Sequence, residues 1–214
     1  MEIQEVIIAV QIRLKSGRLP LKALLPFPID KDLVNFSTVI EIFQQKFNNL
    51  DAQVEFLVPE NDLNIFQIFF PNNIKFFGGS EHNVIKRYCQ FMKENMNKWI
   101  IRICADSPYI ERNLIEQVVN DCKSGKFEKN KMYTTRILNN QKGNNLDLFH
   151  SSGFYNQMIK LSKISDHNDK ALLHIIDSDK TLPIIIDSSI KQLNSKFDPK
   201  AIDTMEDYLS LFNN

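Results

Sequence analysis

The sequence predicts an α/β protein, with a mostly parallel, mixed sheet flanked by helices. Three observations carry that reading. Short apolar runs alternate with amphipathic stretches of helical period through the first half of the chain. The first run, Val6-Ile-Ile-Ala-Val10, is continuously apolar, as a strand covered on both faces must be. It leads into Gln11-Ile-Arg-Leu-Lys-Ser-Gly-Arg-Leu-Pro-Leu-Lys22, where four cations (Arg13, Lys15, Arg18, Lys22) fall within ten residues, with Ser16 and Gly17 among them. At the carboxyl end of a first strand, such a loop suits phosphate. Small residues let backbone N–H groups approach an anion, and cations offset its charge.

The elements follow in order. After the strand within Met1–Ile12, the segment Phe36–Phe47 puts Val39, Ile40, Phe43 and Phe47 on one helical face, with Ser37 or Thr38 as cap. Val54–Val58 is a second strand, stopped by Pro59, and Leu63–Phe70 a short helix. Ile74–Phe77 is a third strand, ended by Gly78-Gly79. Glu81–Asn95 is a long helix with Val84, Ile85, Tyr88 and Phe91 inward. Trp99–Cys104 is a fourth strand, and Asn113–Cys122 a helix burying Leu114, Ile115, Val118 and Val119. The loops after Ile12, Phe77 and Cys104 should then face one crevice.

The second half is less regular. Lys123–Lys131 is a polar connection, Met132–Leu138 reads as a strand, and Asn139–Asn145 is turn-rich. Leu146–Phe149 is a further apolar run. Phe154–Leu161 and Lys170–Ile176 suit helix or strand equally, Pro183–Ile186 is apolar, and Thr204–Phe212 predicts a terminal helix.

The bulk numbers exclude several classes. At 214 residues the chain forms one large domain, or one domain with a small appendage. Lys+Arg and Asp+Glu balance at 26 each, so no global field attracts nucleic acid or an anionic membrane. Val6–Val10 is too short for a signal peptide or a membrane span. Cys89, Cys104 and Cys122 form an odd set without a Cys-x-x-Cys pair and read as free thiols of a cytoplasmic protein. No Walker loop or dinucleotide fingerprint is present, and His82, His150, His167 and His174 lack zinc spacing.

Asp106 ends a strand in Ala105-Asp-Ser-Pro108. Such a carboxylate serves either as a turn cap before proline or as a ligand of a hard divalent ion. Both readings stand at this point.

Several blocks resemble the cytidylyltransferase family of the 3-deoxy-manno-octulosonate and acylneuraminate enzymes, and most of all its SpsF-like spore-coat polysaccharide branch. Gln11-Ile-Arg13…Ser16-Gly-Arg18-Leu-Pro20-Leu-Lys22 is similar to the family's Gln-Ala-Arg…Ser-x-Arg-Leu-Pro-Gly-Lys. Gly79-Ser80…Asn83-Val84…Arg87-Tyr88, Arg102-Ile…Asp106-Ser-Pro108, Gly143…Asp147-Leu-Phe149, Asp166-His167 and Ile202-Asp203…Glu206-Asp207-Tyr208 follow in family order. The resemblance implies a glycosyltransferase-A-like nucleotide-diphospho-sugar transferase fold. The whole of 1–214 would be one nucleotidyltransferase domain, with 1–125 binding nucleotide and 126–214 forming the acceptor half and terminal helix.

It further implies CTP as donor, Mg²⁺ as cofactor and a small acidic sugar or sugar phosphate as acceptor, for surface polysaccharide or lipopolysaccharide synthesis. Carried over by position, Arg13, Ser16, Gly17, Arg18 and Lys22 would hold the triphosphate, and Gly79, Asn83 and Arg87 would border the nucleotide. Asp106 and Asp203 would hold the metal, and Asp147 and His167 would face the acceptor. Lys22, Arg13 and Asp106 would carry the chemistry. Leu21 stands where the family has Gly, Asp147 where it has Glu, and Asn145 where it has Asp. A glycosyltransferase of the same fold and a non-catalytic nucleotide-binding relative are the alternatives; Asp106-Ser-Pro108 lacks the second Asp of an Asp-x-Asp motif. Exposed apolar residues near Phe69-Phe70 suit a homodimer as well as a core.

Overall fold

The computed structural model describes residues 4–29, 33–71, 74–135, 145–164, 181–184 and 201–212. Strand β1 (Val6–Gln11) is buried along its whole length and is the spine of the sheet. Its alternation divides the core. Val6, Ile8 and Val10 join one apolar cluster, and Ile7 and Ala9 join another on the opposite face. Strands β2 (Phe27–Pro28) and β3 (Phe36–Ser37) form a small separate antiparallel pair that the sequence did not announce.

Helix α1 (Val39–Phe47) starts at Thr38 in a capping box: Thr38 Oγ1 accepts from Glu41 N–H, and the Glu41 carboxylate accepts from Thr38 N–H. Strand β4 (Gln53–Pro59) runs directly into α2 (Glu60–Phe69), so Pro59 closes the strand and opens the helix. A proline suits that junction because its φ is already helical and the helix needs no N–H from it. Strand β5 (Lys75–Gly79) continues through the Gly78-Gly79 pair expected to end it. The reason is tertiary. A Cβ on Gly78 would lie 2.6 Å from Glu60 Oε2, and one on Gly79 2.7 Å from Arg87 Cγ. Glycine is needed there because α2 and α3 press on the strand.

Helix α3 (Val84–Glu94) starts three residues after the expected Glu81 because Asn83 caps it, and strand β6 (Trp99–Cys104) and helix α4 (Arg112–Lys123) lie where the periodicity put them. Strand β7 (Met132–Thr134) forms the start of the expected Met132–Leu138 strand and ends before Thr135; 136–138 lie outside the described residues. Then come β8 (Leu146–His150), α5 (Ser151–Ile164), β9 (Thr181–Pro183) and α6 (Met205–Ser210). The Phe154–Leu161 ambiguity resolves as helix, because α5 packs on α3. The Lys170–Ile176 stretch lies outside the described residues.

The strands of the main sheet lie in the order β5-β4-β1-β6-β8-β7-β9. The first four are parallel, β8 runs antiparallel to β6, and β7 antiparallel to β8. The expected mixed, mostly parallel sheet is therefore observed. From β1 the chain moves outward through β4 and β5, then returns to place β6 on the other side of β1. The β1–β6 boundary is thus a topological switch point, where loops diverge and leave a crevice beyond the strand ends. No helix among the described residues is long and apolar enough to cross a membrane.

Candidate active site

A cleft of about 310 Å³ opens at that switch point. It is lined from three segments: Gln11–Arg13 with Ser16–Arg18, Lys22 and Ala23; Cys104–Asp106; and Asp203. The basic loop is one wall, as its position after β1 demanded.

Its shape comes from two buried leucines. Leu14 and Leu19 point into the core, which forces the intervening polar residues outward. The Leu14 carbonyl accepts from the N–H groups of Ser16 (3.1 Å) and Leu21 (3.0 Å), closing the loop on itself. Leu21 then adopts a left-handed backbone, φ 56 and ψ 17, before the 3₁₀ turn Lys22–Leu24. That conformation costs a branched residue about 1–2 kcal/mol, and glycine nothing comparable. The Leu21 departure therefore leaves the turn of the loop in place, with its side chain half-exposed to solvent.

Lys22 is anchored. Its ammonium donates to the Ile202 carbonyl at 2.6 Å and lies 3.7 Å from Asp203 Oδ1. Arg18 reaches Asp203 Oδ2 at 3.2 Å. Ile202 N–H in turn donates to the Asp106 carbonyl at 2.7 Å. These bonds draw the segment before α6 across the mouth of β6 and set Asp203 beside Asp106. A second capping box at Thr204 and Asp207 fixes where that segment turns into α6. The Asp106 Oδ1 accepts from the Ser107 hydroxyl at 3.0 Å, so part of the turn-cap reading is also correct.

The donor set fits a hard divalent cation. Two carboxylates, Asp106 and Asp203, share one cleft with the cations Arg13, Arg18 and Lys22. Among the described residues no group of three or more His, Cys, Asp or Glu converges. A cation on Asp106 and Asp203 would draw its other ligands from phosphate oxygens and water, the pattern of magnesium on a nucleotide.

Other expected residues stand elsewhere. Gly79 is buried at the end of β5. Asn83 caps α3, accepting from Lys86 N–H at 2.9 Å, and donates to the Ser162 carbonyl at 3.2 Å. Arg87 is buried and donates from Nε and Nη2 to the Ser80 carbonyl, at 3.1 and 2.9 Å. These three shape the loop after β5 and do not line the cleft. That loop meets the basic one through Glu81, whose carboxylate lies 4.0 Å from the Lys15 ammonium.

Asp147, expected to face an acceptor, is instead buried. Its Oδ2 accepts from Arg102 Nη1 at 2.7 Å and its Oδ1 from the Thr134 hydroxyl at 2.7 Å. Desolvation by both sheet faces leaves this carboxylate no stable alternative to a cationic partner. His167 lies outside the described residues.

Sequence reasoning passed over Gln11 and Cys104 as cleft-lining residues, and over Asp62. The Asp62 carboxylate accepts from Leu14 N–H at 2.9 Å across 48 positions of sequence. No local pattern marks it.

No family model matches the sequence, and no curated protein matches it. Solved structures do match the fold. A cytidylyltransferase from Leptospira borgpetersenii serovar Hardjo-bovis superposes with TM-score 0.71 at 23% identity, covering 97% of this chain and 85% of that one. The chain has a nucleotide-diphospho-sugar transferase fold. CMP:2-keto-3-deoxy-manno-octonic acid synthetase complexed with CTP matches at TM-score 0.55 and 12% identity, over 85% of this chain and 90% of that one. Rv0371C of Mycobacterium tuberculosis in complex with manganese matches at TM-score 0.64 and 12% identity, over 99% of each chain.

Proposed function

We propose that this chain is a cytidylyltransferase, transferring CMP from CTP to an acidic sugar or sugar phosphate in surface polysaccharide synthesis. The observation that carries the reading is the convergence of Arg13, Arg18 and Lys22 with Asp106 and Asp203 on one cleft at the switch point. Neighbours of the same fold include a protein solved with CTP and one solved with manganese. The Leu21 backbone keeps the turn a glycine would make, which favours a working loop over an inactive one.

In this reading an acceptor oxygen attacks the α-phosphorus of CTP in line. The bond to the β-phosphate oxygen breaks, pyrophosphate leaves, and the acceptor proton passes to solvent. Catalysis is positioning and charge neutralisation. Ser16 and Gly17 offer a close approach to phosphate, and Arg13, Arg18 and Lys22 balance the charge that builds on pyrophosphate. Asp106 and Asp203 would hold Mg²⁺, which when bound neutralises phosphate charge and acidifies a coordinated hydroxyl. Cys89, Cys104 and Cys122 form no disulfide, which suits the cytoplasmic setting this reading expects.

Pyrophosphate release, followed with CTP and a panel of acidic sugars and sugar phosphates, tests the reaction. Replacing Lys22 with Ala should lower the rate by about 10²-fold, the usual cost of one preorganised charge-stabilising donor. Full activity in that variant would sink the phosphate-loop assignment. Thermal shifts with CTP, UTP, ATP and GTP test the base, since the tighter ligand raises stability more.

A further inference from the structure

Leu14 is the hub of the basic loop. Its carbonyl gathers Ser16 and Leu21, and its side chain is buried. Its own N–H points away from the cleft, to Asp62 Oδ2. Asp62 sits in the first turn of α2 and is only 4% exposed, so this carboxylate is held inside the protein and bonded to a residue of the basic loop. Arg13, Arg87 and Glu81 belong to the same electrostatic neighbourhood. Burying an ionised carboxylate is costly unless its bonds return that cost, and the Asp62 bond goes to the residue whose carbonyl closes the loop.

We propose that Asp62 is a positioning residue for phosphate binding. It holds Leu14, and through Leu14 the Ser16–Leu21 turn, in the shape that presents the loop to the triphosphate before any ligand arrives. The inference rests on the nucleotide reading above. It also carries a sign that separates it from two simpler roles. A carboxylate acting only through its charge repels an anion, so removing it would tighten phosphate binding. A carboxylate acting only on the N-terminus of α2 would change melting temperature and leave affinity alone. A positioning carboxylate gives weaker binding when its acceptor oxygen is lost, although a repulsive charge is lost with it.

The probe is inorganic tripolyphosphate, titrated by calorimetry into wild type, Asp62→Asn and Asp62→Ala. Asn retains an acceptor oxygen without the charge and should bind within about twofold of wild type or tighter, whereas Ala strands a buried N–H and should bind about tenfold more weakly. Hydrogen exchange supplies a second readout, whose wild-type arm does not depend on the Ala variant folding. In ligand-free wild type the Leu14 and Leu21 amides should already be protected, and Asp62→Ala should expose both while leaving β8 amides unchanged. Affinity in Asp62→Ala equal to or above wild type would overturn the inference alone, as would unprotected Leu14 in wild type. A wild-type protein that binds no tripolyphosphate would overturn the nucleotide reading and this inference with it.

Discussion

Arg102–Asp147 and Asp203 with Arg18 and Lys22 are built from the same chemistry and stand on the two sides of one fold's divide between structure and site. The first joins β6 to β8 at 2.7 Å, with side chains 3% and 0% exposed. It is saturated: Gln11 Oε1 accepts from Arg102 Nε and Nη2, and Thr134 donates to Asp147. The second lies at the cleft mouth, where Arg18 is 68% and Asp203 32% exposed. A buried, fully bonded pair has nowhere better to send either charge, so it stitches the parallel half of the sheet to the antiparallel half. Arg18 and Asp203 meet in water and hold each other weakly, while Lys22, 13% exposed, is held by the Ile202 carbonyl. Under the proposed function, phosphate would replace Asp203 on the cations and a divalent ion would replace the cations on Asp203. Solvation, rather than residue type, decides which ion pair is fixed architecture and which is open to exchange.

The largest expected effect breaks the buried pair. Asp147→Ala takes the carboxylate from a buried Arg102 guanidinium and should cost about 3–5 kcal/mol, measured by urea unfolding. A loss below about 1 kcal/mol would erase the distinction between the two clusters. Asp203→Asn should do the reverse, with stability within about 1 kcal/mol of wild type and pyrophosphate release down by about 10²-fold. Activity unchanged in that variant would return Asp203 to the role of a surface pair.

His150 sharpens the comparison from a third side, as a buried ionisable group without a counter-ion among the described residues. It is fully buried, packs edge-on to Trp99 with centroids 5.0 Å apart, and its Nδ1 lies 2.9 Å from the Ser152 hydroxyl. Burial, with Lys129 nearby, holds its pKa down to about 4. The unfolded chain therefore takes up this proton first, and the stability His150 contributes is present above pH 6.5 and lost as pH falls toward about 4. Urea midpoints across that window should fall in wild type and fall less in His150→Leu. Equal slopes would show that other groups set the acid limb. The smallest effect is at Leu21. Leu21→Gly relieves a left-handed backbone but loosens the unfolded chain, so stability should rise by no more than about 1 kcal/mol. A loss of stability would mean that the exposed side chain packs where the loop needs it.

Where local chemistry is sufficient, the fold was readable. The continuous apolar run of β1 and the helical faces of α1, α3 and α4 follow from spacing within a few residues, whereas the structure chose Thr38 over Ser37 as the α1 cap and showed the cap at Thr204. Gly78-Gly79 misled because a glycine pair signals a turn locally, and only the pressure of α2 and α3 explains two glycines inside a strand. Pro59 misled in the same way, since it ends β4 by starting a helix three residues earlier than the apolar pattern at Leu63 indicates. The site divides along the same line. The cations of the basic loop and Asp106 announced themselves as a loop after a strand and a carboxylate at a strand's end. Asp62 did not, because its partner is 48 residues away.

By itself the sequence determined the alternation of strands and helices, the place of the basic loop after the first strand, and the absence of a global charge to draw nucleic acid. Period and polarity are local properties, and they survive without knowledge of neighbours. Only the tertiary structure decided which carboxylates are spent and which are available. It buried Asp147 against Arg102, set Asp62 under Leu14, and carried Asp203 to the cleft beside Asp106. The free energy of a charge depends on the water and partners around it, and those are fixed by segments that meet only when the chain folds.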